Sequence, residues 1–83
     1  MVLKRNRLGC NFAIELSKLV KGDEYLNSID LIGNRIGQFG LKCLLKLGLV
    51  ENNSVIHFDA RLNPGLTNQL RSRFAHCMVR NID

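Results

Sequence analysis

The side chains of this chain that could do chemistry are few and widely spaced. His57 and His76 stand nineteen residues apart, and Cys10, Cys43 and Cys77 are each more than thirty residues from the next, with no C-x-x-C pair to hold zinc or run thiol exchange. Catalysis needs an acid, a base or a nucleophile converging within hydrogen-bond reach. The one pair that could pose as twin carboxylates is Asp30 with Asp59, and the repeat described below puts Lys4 and Arg61 beside it, so the four read as a charged ladder. Cys43 shares a face with lysines and has room to be exposed, yet no base is placed to activate its thiol. Each histidine reads as a surface or packing residue. No catalytic residue, metal site or cofactor is therefore expected, and the cysteines read as unpaired buried thiols of a reducing compartment.

Charge narrows the classes further. Twelve Lys and Arg against seven Asp and Glu give a net charge of +5, which suits nucleic acid, an acidic protein surface or plain solvation. The cations gather at two places, Lys4, Arg5 and Arg7 near one end and Arg71, Arg73 and Arg80 near the other. No aromatic residue interleaves with them to stack on bases, so a solvated surface is expected and nucleic-acid binding is disfavoured. Hydrophobic residues make up 46% of the 83 and charged residues 23%, a balance that supports one small packed domain. Met1 to Arg7 is followed by no apolar run of signal-peptide length, and nothing approaches a membrane span, so a cytoplasmic location is expected.

What would position these residues is an internal repeat. Asn6 lies in Leu3-Lys4-Arg5-Asn6-Arg7-Leu8, Asn34 in Leu31-Ile32-Gly33-Asn34-Arg35-Ile36, and Asn63 in Ala60-Arg61-Leu62-Asn63-Pro64-Gly65, at separations of 28 and 29 residues. Around them run Leu26-x-x-Ile29-x-Leu31-x-x-Asn34-x-Ile36 and Val55-x-x-Phe58-x-Ala60-x-x-Asn63. A strand alternates its faces, so Ile29 and Leu31, or Phe58 and Ala60, are predicted to point inward and their neighbours outward. The third copy departs after its asparagine, where Gly65 takes the usual leucine position and Leu66 follows one place late, as after a one-residue insertion.

Each strand is followed by a helix-period segment: Phe12, Ala13, Leu16, Leu19 and Val20; then Gly40, Leu41, Leu44, Leu45 and Gly48; then Leu70, Phe74, Cys77 and Met78 after a Thr67 N-cap. Polar returns at 22–24 and 51–54 complete the units, with Asn53 in the second return. The units span about 1–25, 26–54 and 55–83, the first of them shortened because Met1 falls at the position of Ile29. An ordinary doubly wound sheet would want longer apolar strands and a glycine fingerprint that Gly33, Gly37 and Gly40 do not form.

The pattern resembles the ribonuclease-inhibitor-like leucine-rich repeats, and the resemblance covers nearly the whole chain. It implies an α/β solenoid of about three strand-helix repeats, a short right-handed horseshoe segment. It further implies that Asn6, Asn34 and Asn63 are structural, each amide bonding backbone of neighbouring coils. Within the family, Tyr25-Leu26-x-x-Ile29-Asp30-Leu31, Gly40-Leu41-Lys42-x-Leu44-Leu45 and Phe58-Asp59-x-Arg61-x-Asn63-Pro64 look most like a centrosomal member. That likeness implies a scaffold at the centrosome or ciliary base that holds partners, ubiquitin machinery among them, and belongs to a larger chain or complex.

In a horseshoe, outward strand positions align into rows on the concave face. One row is Val2, Asp30 and Asp59; the next is Lys4, Ile32 and Arg61; Ser28 with His57, and Arg7 with Arg35, form the margins. Mixed charge around an exposed Ile32 suits a protein surface better than a phosphate backbone. A non-enzymatic protein-binding scaffold is the expected function; the alternatives are a regulator of small GTPases or of the ubiquitin pathway, and, behind these, a basic nucleic-acid-binding domain.

Overall fold

Short strands and longer helices alternate along the chain in a computed structural model that describes residues 1–82; Asp83, the last residue of the expected third unit, lies outside them. Helix α1 spans Cys10–Gly22, strand β1 Ser28–Asp30, helix α2 Gln38–Cys43, strand β2 His57–Asp59 and helix α3 Asn68–Ile82. Helix α2 runs on without a break into a π-helix, Leu44–Leu49. The class is mixed α/β with a two-stranded parallel sheet.

β1 and β2 pair in parallel with Ser28 opposite His57, Ile29 opposite Phe58 and Asp30 opposite Asp59. On the other edge of β1, Val2 makes an isolated parallel bridge to Asp30, which sets Met1 opposite Ile29. Leu3 N–H donates to Asp30 C=O and Arg5 N–H to Ile32 C=O, both at 2.8 Å. The chain thus advances by one extended segment per coil. Parallel pairing forces a crossover between strands, and each crossover here is a helix.

Period-two alternation sends Ile29 and Leu31 into the core at 2% and 0% exposure. The helices meet them with residues three and four apart: Ala13, Leu16 and Val20 from α1, Leu41, Leu44, Leu45 and Leu49 from α2 and its π continuation, and Leu70, Phe74, Cys77 and Met78 from α3. Gly48 lets the π-helix approach α1, since a Cβ there would sit 3.2 Å from the Cα and carbonyl oxygen of Ser17. Ser17 itself is buried, its hydroxyl donating to Ala13 C=O at 2.7 Å. Thr67 caps α3 by accepting from Leu70 N–H through Oγ1 at 3.1 Å.

Several readings of individual residues need correction. Leu19, assigned to the apolar face of α1, is 69% exposed, because Leu16 and Val20 already fill the seam against the π-helix. Cys10 and Cys43 are half-buried, and Cys77 alone of the three thiols is buried. Cys10 is held at that depth by Gly40, where a Cβ would lie 2.9 Å from both the Cys10 Cα and Sγ.

The displaced leucine of the third unit has a backbone cause. Arg35 N–H donates to Leu8 C=O at 2.7 Å; the matching position one coil later is Pro64, which has no N–H, so Gly65 donates to Ile36 C=O at 3.0 Å instead. That bond draws Gly65 so close to the chain at Gly37 that a Cβ would come 2.0 Å from the Gly37 carbonyl carbon and 2.1 Å from the Gln38 nitrogen. Gly65→Ala therefore forces two backbone segments apart and should cost about 3 kcal/mol. Gly22→Ala, with nothing within 4 Å of the added carbon, should change stability by less than about 1 kcal/mol. Urea titration of both variants checks the contrast, and equal losses would refute the close approach.

Candidate protein-binding face and its asparagine supports

The outward side chains of the strands are set by the turns that follow, and those turns are built around two buried amides. Asn34, 4% exposed, accepts through Oδ1 from Asn6 N–H at 2.9 Å and Leu8 N–H at 3.0 Å. Its Nδ2 donates to Leu3 C=O and to Leu31 C=O, both at 2.9 Å. Asn63 repeats the arrangement one coil later, accepting from Ile36 N–H at 3.1 Å and donating to Leu31 C=O at 2.8 Å and Ala60 C=O at 3.0 Å. Each amide therefore ties its own turn to the coil before it.

Asn6 does not play this part. It is exposed, and its contribution to the network is its backbone N–H, given to Asn34. The physical reason is that Asn34 and Asn63 reach the coil on their N-terminal side, and no coil lies on that side of Asn6 within this chain.

A second set of supports was not foreseen. Asn52, 1% exposed, donates through Nδ2 to Val20 C=O at 2.7 Å and Asp23 C=O at 2.9 Å, and accepts from Ser54 N–H and Val55 N–H at 2.7 and 2.8 Å. It caps the C-terminal end of α1 from the next coil. Arg80 does the same for the π-helix, its guanidinium donating to Leu49, Val50 and Asn52 carbonyls at 3.1, 2.9 and 2.7 Å; its charge there also favours the helix dipole. The sequence does carry a signal for this line, since Asp23, Asn52 and Asn81 recur every 29 residues.

On this frame the strand rows come into register. Asp30 lies opposite Asp59, and Ser28 opposite His57. Both carboxylates close turns: Asp30 accepts from Ile32 N–H and Asp59 from Arg61 N–H, each at 3.1 Å. Asp59 also pairs with the Arg61 guanidinium at 2.8 Å. Burial alone would push the Asp59 carboxyl up, but hydrogen bonds from Arg61 and the charges of Arg61 and Arg71 outweigh it and hold the carboxyl below the ordinary carboxylate range. Arg61 is raised in turn by its bond to Asp59.

Lys4, Ile32 and Arg61 meet around one hollow, joined by Arg5 and Leu62. Ile32 is half-buried there, not exposed as its strand position suggested, because the flanking turns rise beside it. Arg5, Gly33 and Leu62, each immediately before an asparagine of the repeat, have positive φ of 58°, 73° and 62°. Such backbone turns Asn34 and Asn63 inward after Gly33 and Leu62, and throws the Arg5 and Leu62 side chains onto the rim; Leu62 is 73% exposed. Arg7 and Arg35 are exposed in the turns beyond the strands, not on the strands themselves.

Among the described residues no cluster of three or more His, Cys, Asp or Glu could hold a metal ion. No helix among them is long and apolar enough to cross a membrane. No protein-family model matches the chain, and no curated protein matches it.

Two outcomes follow from this geometry. Asn34→Ala and Asn52→Ala each strand buried backbone groups and should each cost about 3 kcal/mol in chemical denaturation, whereas Asn6→Ala and Asn53→Ala, both exposed, should cost less than about 0.5 kcal/mol. A large loss for Asn6→Ala would contradict the bonding described. For Asp59, a carboxyl held low in the fold adds stability that is full above its unfolded value, near pH 4, and fades as pH falls through the folded one. The stability gap between the wild type and Asp59→Asn should therefore be constant above about pH 5 and shrink toward pH 3; a gap that widens on acidification would reverse the sign.

Proposed function

We propose that the chain is a non-enzymatic protein-binding module, a segment of leucine-rich-repeat solenoid of the ribonuclease-inhibitor kind, whose docking face carries Lys4, Ser28, Asp30, Ile32, His57, Asp59 and Arg61. One observation carries the reading: outward strand residues stand in parallel register, Ser28 beside His57 and Asp30 beside Asp59, over amide-braced turns. Such rows form a surface whose backbone positions are fixed by the strand pairing, so little backbone order is lost on binding. Charges of both signs around the half-buried Ile32 favour a protein surface, where a phosphate backbone would select cations alone. The likeness to a centrosomal member of the family extends the proposal to a centrosome or ciliary-base complex, with cytoplasmic residence and a place in a larger assembly.

The test is affinity capture from extracts of ciliated cells with three forms of the chain. Ile32→Glu with Arg61→Glu alters the face, and Lys42→Glu with Lys46→Glu makes a similar charge change on exposed residues of the helix side. Proteins recovered by the wild type should be retained by the helix variant and fall about tenfold with the face variant, a loss worth one decade of affinity. Equal recovery by all three forms, or equal loss from both variants, would remove the face from consideration. Binding of labelled duplex DNA with a steep salt dependence would instead favour the nucleic-acid alternative.

A further inference from the structure

Arg5, Gly33 and Leu62, all in left-handed backbone, stand side by side across the three coils. Arg5 N–H donates to Ile32 C=O at 2.8 Å and Gly33 N–H to Arg61 C=O at 3.0 Å, which sets Arg5 next to Gly33 and Gly33 next to Leu62. The outer two carry long side chains and the middle one carries none. A Cβ at Gly33 would lie 3.2 Å from Arg5 Cγ, so the arginine stem leans toward the glycine. The hollow lined by Lys4, Arg5, Ile32, Arg61 and Leu62 thus opens where this row lacks a side chain, with half-buried Ile32 beneath it and exposed Leu62 as one wall. It lies over the middle coil, with a coil on either side.

Charge selects the occupant. Of the three cations around the hollow, Arg61 is held by Asp59, its Nε donating to both carboxylate oxygens at 3.0 Å. Lys4 and Arg5 make no ion pair among the described residues. The carboxylates of Asp30 and Asp59 belong to the neighbouring row and do not line the hollow. A large apolar side chain entering here is covered by Ile32 and Leu62, and an aromatic one also offers its face to a guanidinium. A carboxylate beside that side chain gains Lys4 and Arg5 as counter-charges, whereas a cation there meets two unpaired cations.

We infer that the hollow receives one aromatic or branched apolar side chain of a partner protein, from a segment that carries Asp or Glu beside it. This rests on the protein-binding face proposed above and names what that face reads: a single anchor side chain in a rimmed pocket, the arrangement that concentrates binding energy in a protein interface.

The experiment is a selection of displayed random heptapeptides on the whole 83-residue chain, followed by titration of one synthesised winner against variants. Enriched peptides should share a Phe, Trp, Leu or Ile beside Asp or Glu. Gly33→Asn fills the gap without a change of charge, at a backbone conformation that Asn tolerates, and should weaken the winner about tenfold. Arg5→Glu should weaken it by about the same factor. Leu62→Gly removes the wall and suits the left-handed backbone there, so affinity should fall while the melting temperature does not, which separates lost binding from lost folding. No enrichment, or a consensus without an acidic residue, would overturn the inference. A winner lost on Ile32→Glu with Arg61→Glu but indifferent to Gly33→Asn and Leu62→Gly would overturn it and leave the row face standing, whereas a winner indifferent to every one of these variants would count against both. Self-association of the chain that Gly33→Asn abolishes would overturn it as well, giving the hollow to a second copy.

Discussion

Everything else in this structure depends on carboxamide groups that cross from one coil to the next. The strands have only three residues each, well short of what a sheet needs to hold register alone. Asn34 adds four bonds that bind Leu3, Asn6 and Leu8 of one coil to Leu31 of the next, and Asn63 adds an equivalent set. In a dry interior such bonds are worth more than at the surface, and each group left unmet costs about 1–3 kcal/mol. A slipped register would leave several groups unmet at once. The amides thus specify which strand residue faces which, and the outward rows inherit that specification.

This bracing has a conformational cost that falls on the residue before each asparagine. To turn the Asn63 amide inward Leu62 adopts left-handed backbone, and Arg5 adopts it in the matching turn that Asn34 holds; such backbone disfavours a side chain by about 1–2 kcal/mol. Gly33 meets the same demand without that penalty. The strain persists because the amide bonds over-determine the turn. Its consequence is spatial: the rim of the Lys4–Ile32–Arg61 hollow is lined by side chains that the turn has thrown outward.

The legible part of the fold was the part written in local spacing. Period-two alternation located Ile29, Leu31 and Ala60, and helical spacing located Leu16, Leu45 and Phe74, because inward direction follows from position along one element. What a side chain meets from another coil is a different matter. Asn52 and Asn53 are neighbours of one type in one return, yet only Asn52 falls where Val20 and Asp23 of the previous coil offer carbonyls. Asn6 carries the repeat signature without a coil to reach. Leu19 keeps helical spacing but sits beyond the width of the seam, and Gly65 is dictated by a proline whose missing N–H moved a bond by one residue. Each of these depends on a contact some 26–32 residues away, which no window along the chain contains.

The same division bears on how the face could recognise anything. Asp30 and Asp59 head the rows, but each already accepts an amide from its own turn, and Asp59 holds Arg61 as well. A partner that took either carboxylate would compete with the turn, so those groups are better suited to shaping the surface than to gripping a ligand. The side chains of Lys4, Ile32 and His57 make no hydrogen bond or ion pair among the described residues, and these are the free ones. They are cationic, apolar or imidazole, and none is acidic. Selectivity built on them would favour carboxylate-bearing, partly apolar partners over phosphate backbones, because the fixed carboxylates of the neighbouring row would repel a continuous line of negative charge while tolerating an isolated one.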